Sequence, residues 1–190
     1  KVRIPKNEQE RLAALESYHI MDTLPEDVYD NITKLASIIC ETPIALISLL
    51  DEEKQWFKAE VGIGARETPR EISFCQHTIM GDEVFEVENA LENPIFATNP
   101  LVTDNPDIRF YAGSPLKDED GFNLGALCVI DTEPKVSSEA QKEALNLLGK
   151  EVISQFSLRR KGFEYKEVEK YFDKALDLIC VGGKDGYFKK

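Results

Sequence analysis

The spacing of apolar and polar residues divides the chain into stretches with two different periods. Leu12, Leu15, Tyr18 and His19 recur at helical spacing behind Asn7 and Glu10, an Asn–x–x–Glu start that fits a capping box with asparagine in the cap. The segment IMDTLPED ends that helix. Pro25, Glu26 and Asp27 suit the first turn of a second one, where proline forfeits no hydrogen bond and acids meet the positive end of the helix dipole. Val28, Ile32, Leu35 and Ile39 then form a stripe that predicts the buried face of an amphipathic helix. From Pro43 the period changes. Ile44 to Leu50 is a continuous apolar run, as in a central buried strand, and the turn Asp51-Glu52-Glu53-Lys54 leads into QWFKAEV. Strict alternation there puts Gln55, Phe57, Ala59 and Val61 on one face and Trp56, Lys58 and Glu60 on the other.

Residues 65–107 read as irregular, with a short helix at Phe74 to Met80, a short strand at Val84 to Val87, and the Pro- and Asn-rich run ENPIFATNPLVTDNPD. A long connection of this kind inside a compact domain is often functional. IRFYAGSPL and FNLGALCVI flank an Asp120-Gly121 turn and predict a second hairpin. Ser137, Ser138 and Glu139 open a long helix on which Ala140, Ala144, Leu148, Val152 and Phe156 lie four apart. Gly162 is a candidate break, followed by a charged helical stretch. DKALDLICVGGKDGYFKK then reads as a short helix, a strand, a turn at Lys184-Asp185-Gly186 and another strand. The expected division is a sensor domain over 1–160, a helical linker over 161–172 and the start of a further domain over 173–190.

The net charge is −12, from 35 acidic and 23 basic residues, which disfavours nucleic acid and anionic membrane surfaces as partners. The four cysteines form no CxxC pair. Cys40, Cys128 and Cys180 sit in apolar runs and read as buried thiols in a reducing compartment, without disulfides. No apolar run reaches the roughly 18–20 residues that span a bilayer, and no signal peptide is visible, so a cytoplasmic location is expected. The start at Lys1 without methionine and the stop at Lys190 after an apolar run read as an excised piece of a longer chain.

Five separated motifs occur in order: NEQERLAALESYHIMDTLPED, PIALISLLDEEKQWFKAEVG, SFCQHTI, IRFYAGSPL and GFNLGALCVIDTEP. Together, over about residues 7–160, they resemble the GAF domain, in particular the branch attached to bacterial sensor histidine kinases and diguanylate cyclases. The tail KALDLICVGGKDGYFKK resembles the first strands of a PAS domain. The resemblance implies an α+β fold with a six-stranded antiparallel sheet. Terminal helices would pack on one face, and a ligand cavity would lie on the other, roofed by the irregular segment. Family members bind cyclic nucleotides, tetrapyrroles and haem, and the fold does not choose among them.

Candidate site residues are Trp56, Ser73, Cys75, His77, Arg109 and Tyr111. Bilin-binding relatives carry an adjacent Cys-His pair, whereas Gln76 separates Cys75 from His77; the alternatives are an attached bilin, or a buried thiol beside a hydrogen-bonded histidine. Two such ligands do not make a zinc site, and the one other histidine is His19, so neither metal nor cofactor is expected. Arg109 and Tyr111 share a strand face, offering a guanidinium and a phenol to an anionic or aromatic ligand; alternatively Arg109 pairs with a local acid. Trp56 either lines the cavity or fills the layer between sheet and helices. A sulfoxide reductase of this fold would need several thiols in one pocket, and Cys40 and Cys128 come from a helix end and a strand core. No catalytic residue is therefore assigned.

The expected function is a small-molecule-sensing regulatory domain of a bacterial signal-transduction protein, non-enzymatic itself. It would act as a homodimer through its terminal helices on downstream PAS and output domains, with a structural dimerisation module that binds nothing as the alternative. Leu148, Val152 and Phe156, with Leu12 and Leu15, are the expected dimer contacts.

Overall fold

A computed structural model describes the backbone of residues 4–180 and the side chains of residues 4–172. The helices are α1 (Glu8–Ser17), α2 (Asp27–Cys40), the one-turn α3 (Cys75–Thr78) and α4 (Pro100–Thr103), and the long α5 (Glu139–Cys180). The strands are β1 (Ile44–Leu50), β2 (Lys54–Val61), β3 (Glu67–Pro69), β4 (Phe85–Val87), β5 (Phe110–Lys117) and β6 (Asn123–Asp131). They form one antiparallel sheet in the order β3-β2-β1-β6-β5-β4. Both expected hairpins are present, β1–β2 and β5–β6, joined through the central β1–β6 pair. The short edge strands β3 and β4 come from the segment read as largely irregular.

Each strand's alternation feeds two cores. Ala45, Ile47 and Leu49 of β1 join Leu127 and Val129 of β6 under α1, α2 and α5, while Ile44, Leu46 and Leu50 face the roof segment with Ala126, Cys128 and Ile130. On β2 the alternation breaks. The β1–β2 register runs Ile47↔Ala59 and then Ser48↔Phe57, so Lys58 is an extra, bulged residue. As a result Ala59 lies in the helix layer with Trp56 instead of beside Phe57.

The bulge also aims Lys58 at the start of α2. Its ammonium, in a fully buried side chain, donates to Glu26 at 2.6 Å, the Leu24 carbonyl at 2.7 Å and Thr23 Oγ1 at 2.9 Å. Arg159 of α5 reaches the same Glu26 oxygen at 3.0 Å.

Two helix faces differ from the sequence reading. α2 buries Tyr29, Ile32, Thr33, Ala36 and Cys40 and leaves Val28, Leu35 and Ile39 at 37%, 47% and 40% exposure. Both sets have helical spacing, and the helix docks on the one whose small Ala36 permits close approach to the sheet. On α5, Leu145, Val152 and Phe156 are fully buried with Leu15 of α1, and Leu148 packs beside them. Of the residues expected at a dimer contact, Val152, Phe156 and Leu15 are the domain's own core, with Leu148 packed against it and Leu12 half-buried. α5 continues helical through Gly162, the candidate break, and across 173–180, where a separate short helix followed by a strand is expected. Residues 181–190, with the Lys184-Asp185-Gly186 turn and most of the PAS-like start, lie outside the described residues.

The Asn7 side chain makes no capping bond. Glu8 instead takes Arg11 at 2.7 Å and Arg70 at 2.6 Å, both guanidiniums almost wholly buried, which ties α1 to the edge of the sheet. Glu86 plays a matching part on the other side, accepting from the Ser137 amide at 2.6 Å and pairing with Lys142 at 2.8 Å. Burial raises the pKa of both carboxyls, but these partners outweigh it and hold each below its ordinary value. A depressed folded pKa means that the unfolded chain takes up protons first. The stability these groups add is complete above the ordinary value of 4.5 and is lost as pH falls through the lower folded values. Denaturant titrations from neutral pH down to acid are expected to show a shallower loss for Glu86→Gln than for wild type. Parallel curves would refute that role.

Candidate functional site

The roof over the second core is ordered by its own side chains. Asn99 caps α4 by accepting from the Leu101 amide at 2.9 Å, and its amide nitrogen donates to the Ile72 carbonyl at 3.0 Å, stitching two distant parts of the roof. Phe96 then comes down onto Phe74, ring centroids 4.1 Å apart and nearly parallel. Tyr111 lies 5.3 Å from Phe74, and His77 meets Phe96 edge-on at 4.8 Å. Phe74, Phe96 and Tyr111 are all at most 3% exposed. The space expected to hold a ligand is thus occupied in this structure by the chain's own aromatic side chains.

Beneath those rings lies a small polar centre. Thr78 Oγ1 and the Tyr111 hydroxyl are 2.6 Å apart, Tyr111 donates to Cys75 Sγ at 3.3 Å, and Cys75 Sγ lies 3.6 Å from Cys128 Sγ. Because the phenol donates to the thiol, it accepts from threonine. Gly113, two residues along β5 and paired with Cys128, makes room for it. A Cβ there would fall 2.3 Å from the tyrosine oxygen and 2.9 Å from Thr78 Oγ1. Burial pushes the Tyr111 phenol well above its ordinary pKa, and the neighbouring thiols add to the rise. Next to this centre, Ser73 hydrogen-bonds the Gln55 side chain and receives the Gln76 amide at 3.3 Å, while Arg70 donates to the Gln76 side chain.

The structure therefore brings Ser73, Cys75, His77 and Tyr111 under one roof. Trp56 is on the opposite side of the sheet, in the helix layer. Arg109 precedes β5 and braces the roof from outside, bonding the Val102 and Ile108 carbonyls at 3.0 and 3.1 Å and Asp107 at 2.6 Å. Its Nη1 and Nη2 thus bond local backbone and a local acid. Thr78 and Gln55 are not singled out by the sequence, and Cys128, read there as a buried thiol apart from the others, lies against Cys75 because both face the same side of the sheet. Cys128 lies opposite Gly113 on the Tyr111 face, but a register shift between Pro115 and Lys117 intervenes, and counting outward from the Asp120-Gly121 turn does not foresee it. Among the described residues no group of three or more His, Cys, Asp or Glu side chains is arranged to hold a metal ion.

A family model for the GAF domain matches residues 24–159. The chain belongs to the GAF family. Over 131 residues this GAF domain is 46% identical to a cyclic di-GMP phosphodiesterase of Pseudomonas aeruginosa; the match covers 69% of the chain but only 22% of that relative. Solved structures share the fold at lower identity. The GAF domain of an Acinetobacter phosphoenolpyruvate-protein phosphotransferase is 18% identical with a TM-score of 0.58, covering 81% of this chain and 95% of that one. The chromophore-binding domain of a bacteriophytochrome from R. palustris is 12% identical with a TM-score of 0.58, covering 84% and 64%. Among the described residues of this GAF domain, no helix is long and apolar enough to cross a membrane.

Proposed function

We propose that this GAF domain is the sensory input of a longer bacterial signalling protein and that it works as a homodimer, with α5 carrying its state to an output domain. The observation behind this reading is the second stripe of α5. Leu147, Leu158, Tyr165, Val168 and Phe172 fall on one heptad seam, whose intervening positions are Glu151, Ser154 and Lys161, and are 58–76% exposed. The core stripe through Val152 and Phe156 points elsewhere, so the helix can pack on its own sheet and on a second copy at the same time.

α2 lies alongside, held to α5 by Gln141 on the Ile39 carbonyl at 3.1 Å and by Arg159 on Glu26. Its exposed Leu35 and Ile38 add apolar surface. The 46%-identical relative supports an output that hydrolyses a cyclic dinucleotide, rather than a histidine kinase or diguanylate cyclase. A small-molecule ligand would enter by displacing Phe96 from Phe74.

Sedimentation velocity at micromolar concentration tests the dimer. Wild type is expected to sediment as a dimer, and Leu158→Glu combined with Val168→Glu as a monomer with an unchanged melting temperature. A monomeric wild type would overturn the reading.

A further inference from the structure

The buried thiol pair has no part in the reading above. Cys75 and Cys128 are 53 positions apart in sequence, yet their sulfurs are 3.6 Å apart, beside the buried Tyr111 and Thr78 hydroxyls. A single buried cysteine is commonly a small apolar filler; two in contact, with a phenol donating to one of them, form a dithiol. A disulfide is about 2.05 Å long, so closure needs an approach of roughly 1.5 Å. The mobile partner in that approach is Cys75. It sits on the one-turn α3, held by side-chain contacts and a few turn hydrogen bonds, whereas Cys128 lies in the central ladder of the sheet.

We propose that Cys75 and Cys128 are a peroxide-responsive pair that closes to a reversible disulfide and locks the roof to the sheet. The Cys75 sulfur attacks one oxygen of a hydroperoxide, and the O–O bond breaks. The departing oxygen takes the thiol proton and leaves as water, or as an alcohol from an organic peroxide, so that Cys75 becomes a sulfenic acid. The Cys128 sulfur then attacks the Cys75 sulfur. The S–S bond forms, the S–O bond breaks, and the hydroxyl leaves with the Cys128 proton as a second water. Two thiols lose two electrons between them, and one peroxide gains two.

The surroundings set the order of the two cysteines. Burial opposes ionisation of Cys75, but hydrogen bonding from Cys128 and from the Tyr111 hydroxyl outweighs it and lowers its pKa. Burial and the proximity of Cys75 push Cys128 well up. Cys40 provides an internal comparison: it is buried in the helix layer, with its thiol pushed up to about 11 by burial.

Both sulfurs are covered by the aromatic roof, so the oxidant reaches them only when the roof opens, and the reaction rate reports that opening. The device requires neither a ligand nor a dimer.

The test uses the whole chain with Cys180→Ser, treated with hydrogen peroxide, denatured, alkylated and mapped by mass spectrometry. The expected product is two hydrogens lighter, carries a Cys75–Cys128 cross-link, leaves Cys40 alkylated, and reverts with dithiothreitol. Cys128→Ser is expected to stop at a sulfenic acid on Cys75 that dimedone traps, and Cys75→Ser to leave Cys128 unreacted. The wild-type map does not depend on either variant folding. Full alkylation of Cys75 and Cys128 after a dose that oxidises a small free thiol would overturn the proposal. So would a cross-link through Cys40, or a sulfinate on Cys75 with no cross-link.

Discussion

Val152→Glu is expected to unfold the domain rather than to dissociate a folded dimer. Val152 is fully buried in the layer where α5 meets the sheet, in one cluster with Leu145, Phe156 and Leu15. A carboxylate placed there has no partner in that cluster. It must either ionise in an apolar core or bind a proton at neutral pH, and both cost free energy. The cost is on the order of 4–5 kcal/mol, a large part of the ~5–15 kcal/mol that holds a typical domain together. Val136→Glu, just before the helix, 63% exposed and outside the proposed seam, is the matched control and should leave the melting temperature within a few degrees of wild type. Circular dichroism melts decide the matter. A Val152→Glu protein that melts like wild type but sediments as a monomer would put the dimer contact back on this stripe.

Gly125→Ala is the second large effect. Gly125 pairs with Leu49 where the two central strands run side by side. A Cβ at this position would fall 1.9 Å from the Ser48 carbonyl oxygen and 2.9 Å from the Leu49 Cα. These are backbone atoms of β1, so no side-chain rotation relieves the clash and the ladder itself must part. Overpacking of this kind costs about 3 kcal/mol, and the urea midpoint should fall accordingly. Gly81→Ala, where an added methyl meets nothing within 4 Å, should leave the midpoint where it is. An unshifted Gly125→Ala midpoint would mean that β1 and β6 are not packed this closely.

The sequence was most informative where a short-range rule had one solution. The β1–β2 and β5–β6 hairpins follow from apolar runs flanking turn residues, and those runs meet in the central ladder. It was least informative where two solutions share one period. The α2 stripe through Leu35 and the one through Ala36 are equally helical, and only the surface available to the helix selects between them. α5 poses the same ambiguity: the Val152 stripe faces the sheet while the Leu158 stripe is exposed. On β2 the bulge at Lys58 moved Ala59 to the other layer, and alternation does not foresee an added residue. The site was legible in part. Ser73, Cys75 and His77 stand close in sequence and Tyr111 lies on an inward strand position, but the contact of Cys75 with Cys128 is set by strand register across 53 residues.

The buried start of α5 gives the helix a lever arm. Its last fully buried side chain is Phe156, and the helix runs on to Cys180. At 1.5 Å per residue the portion beyond Phe156 is about 36 Å long, its first two turns still touching the domain through Arg159, Arg160 and Phe163. Rotation of α5 about its own axis would pull Leu145, Val152 and Phe156 out of the core, whereas a tilt about the buried turns leaves them seated. A tilt of only about 5° at the fulcrum moves the far end by about 3 Å over that length. Because Arg159, one turn beyond the fulcrum, shares Glu26 with the buried Lys58, the pivot is braced against the same strand that borders the site.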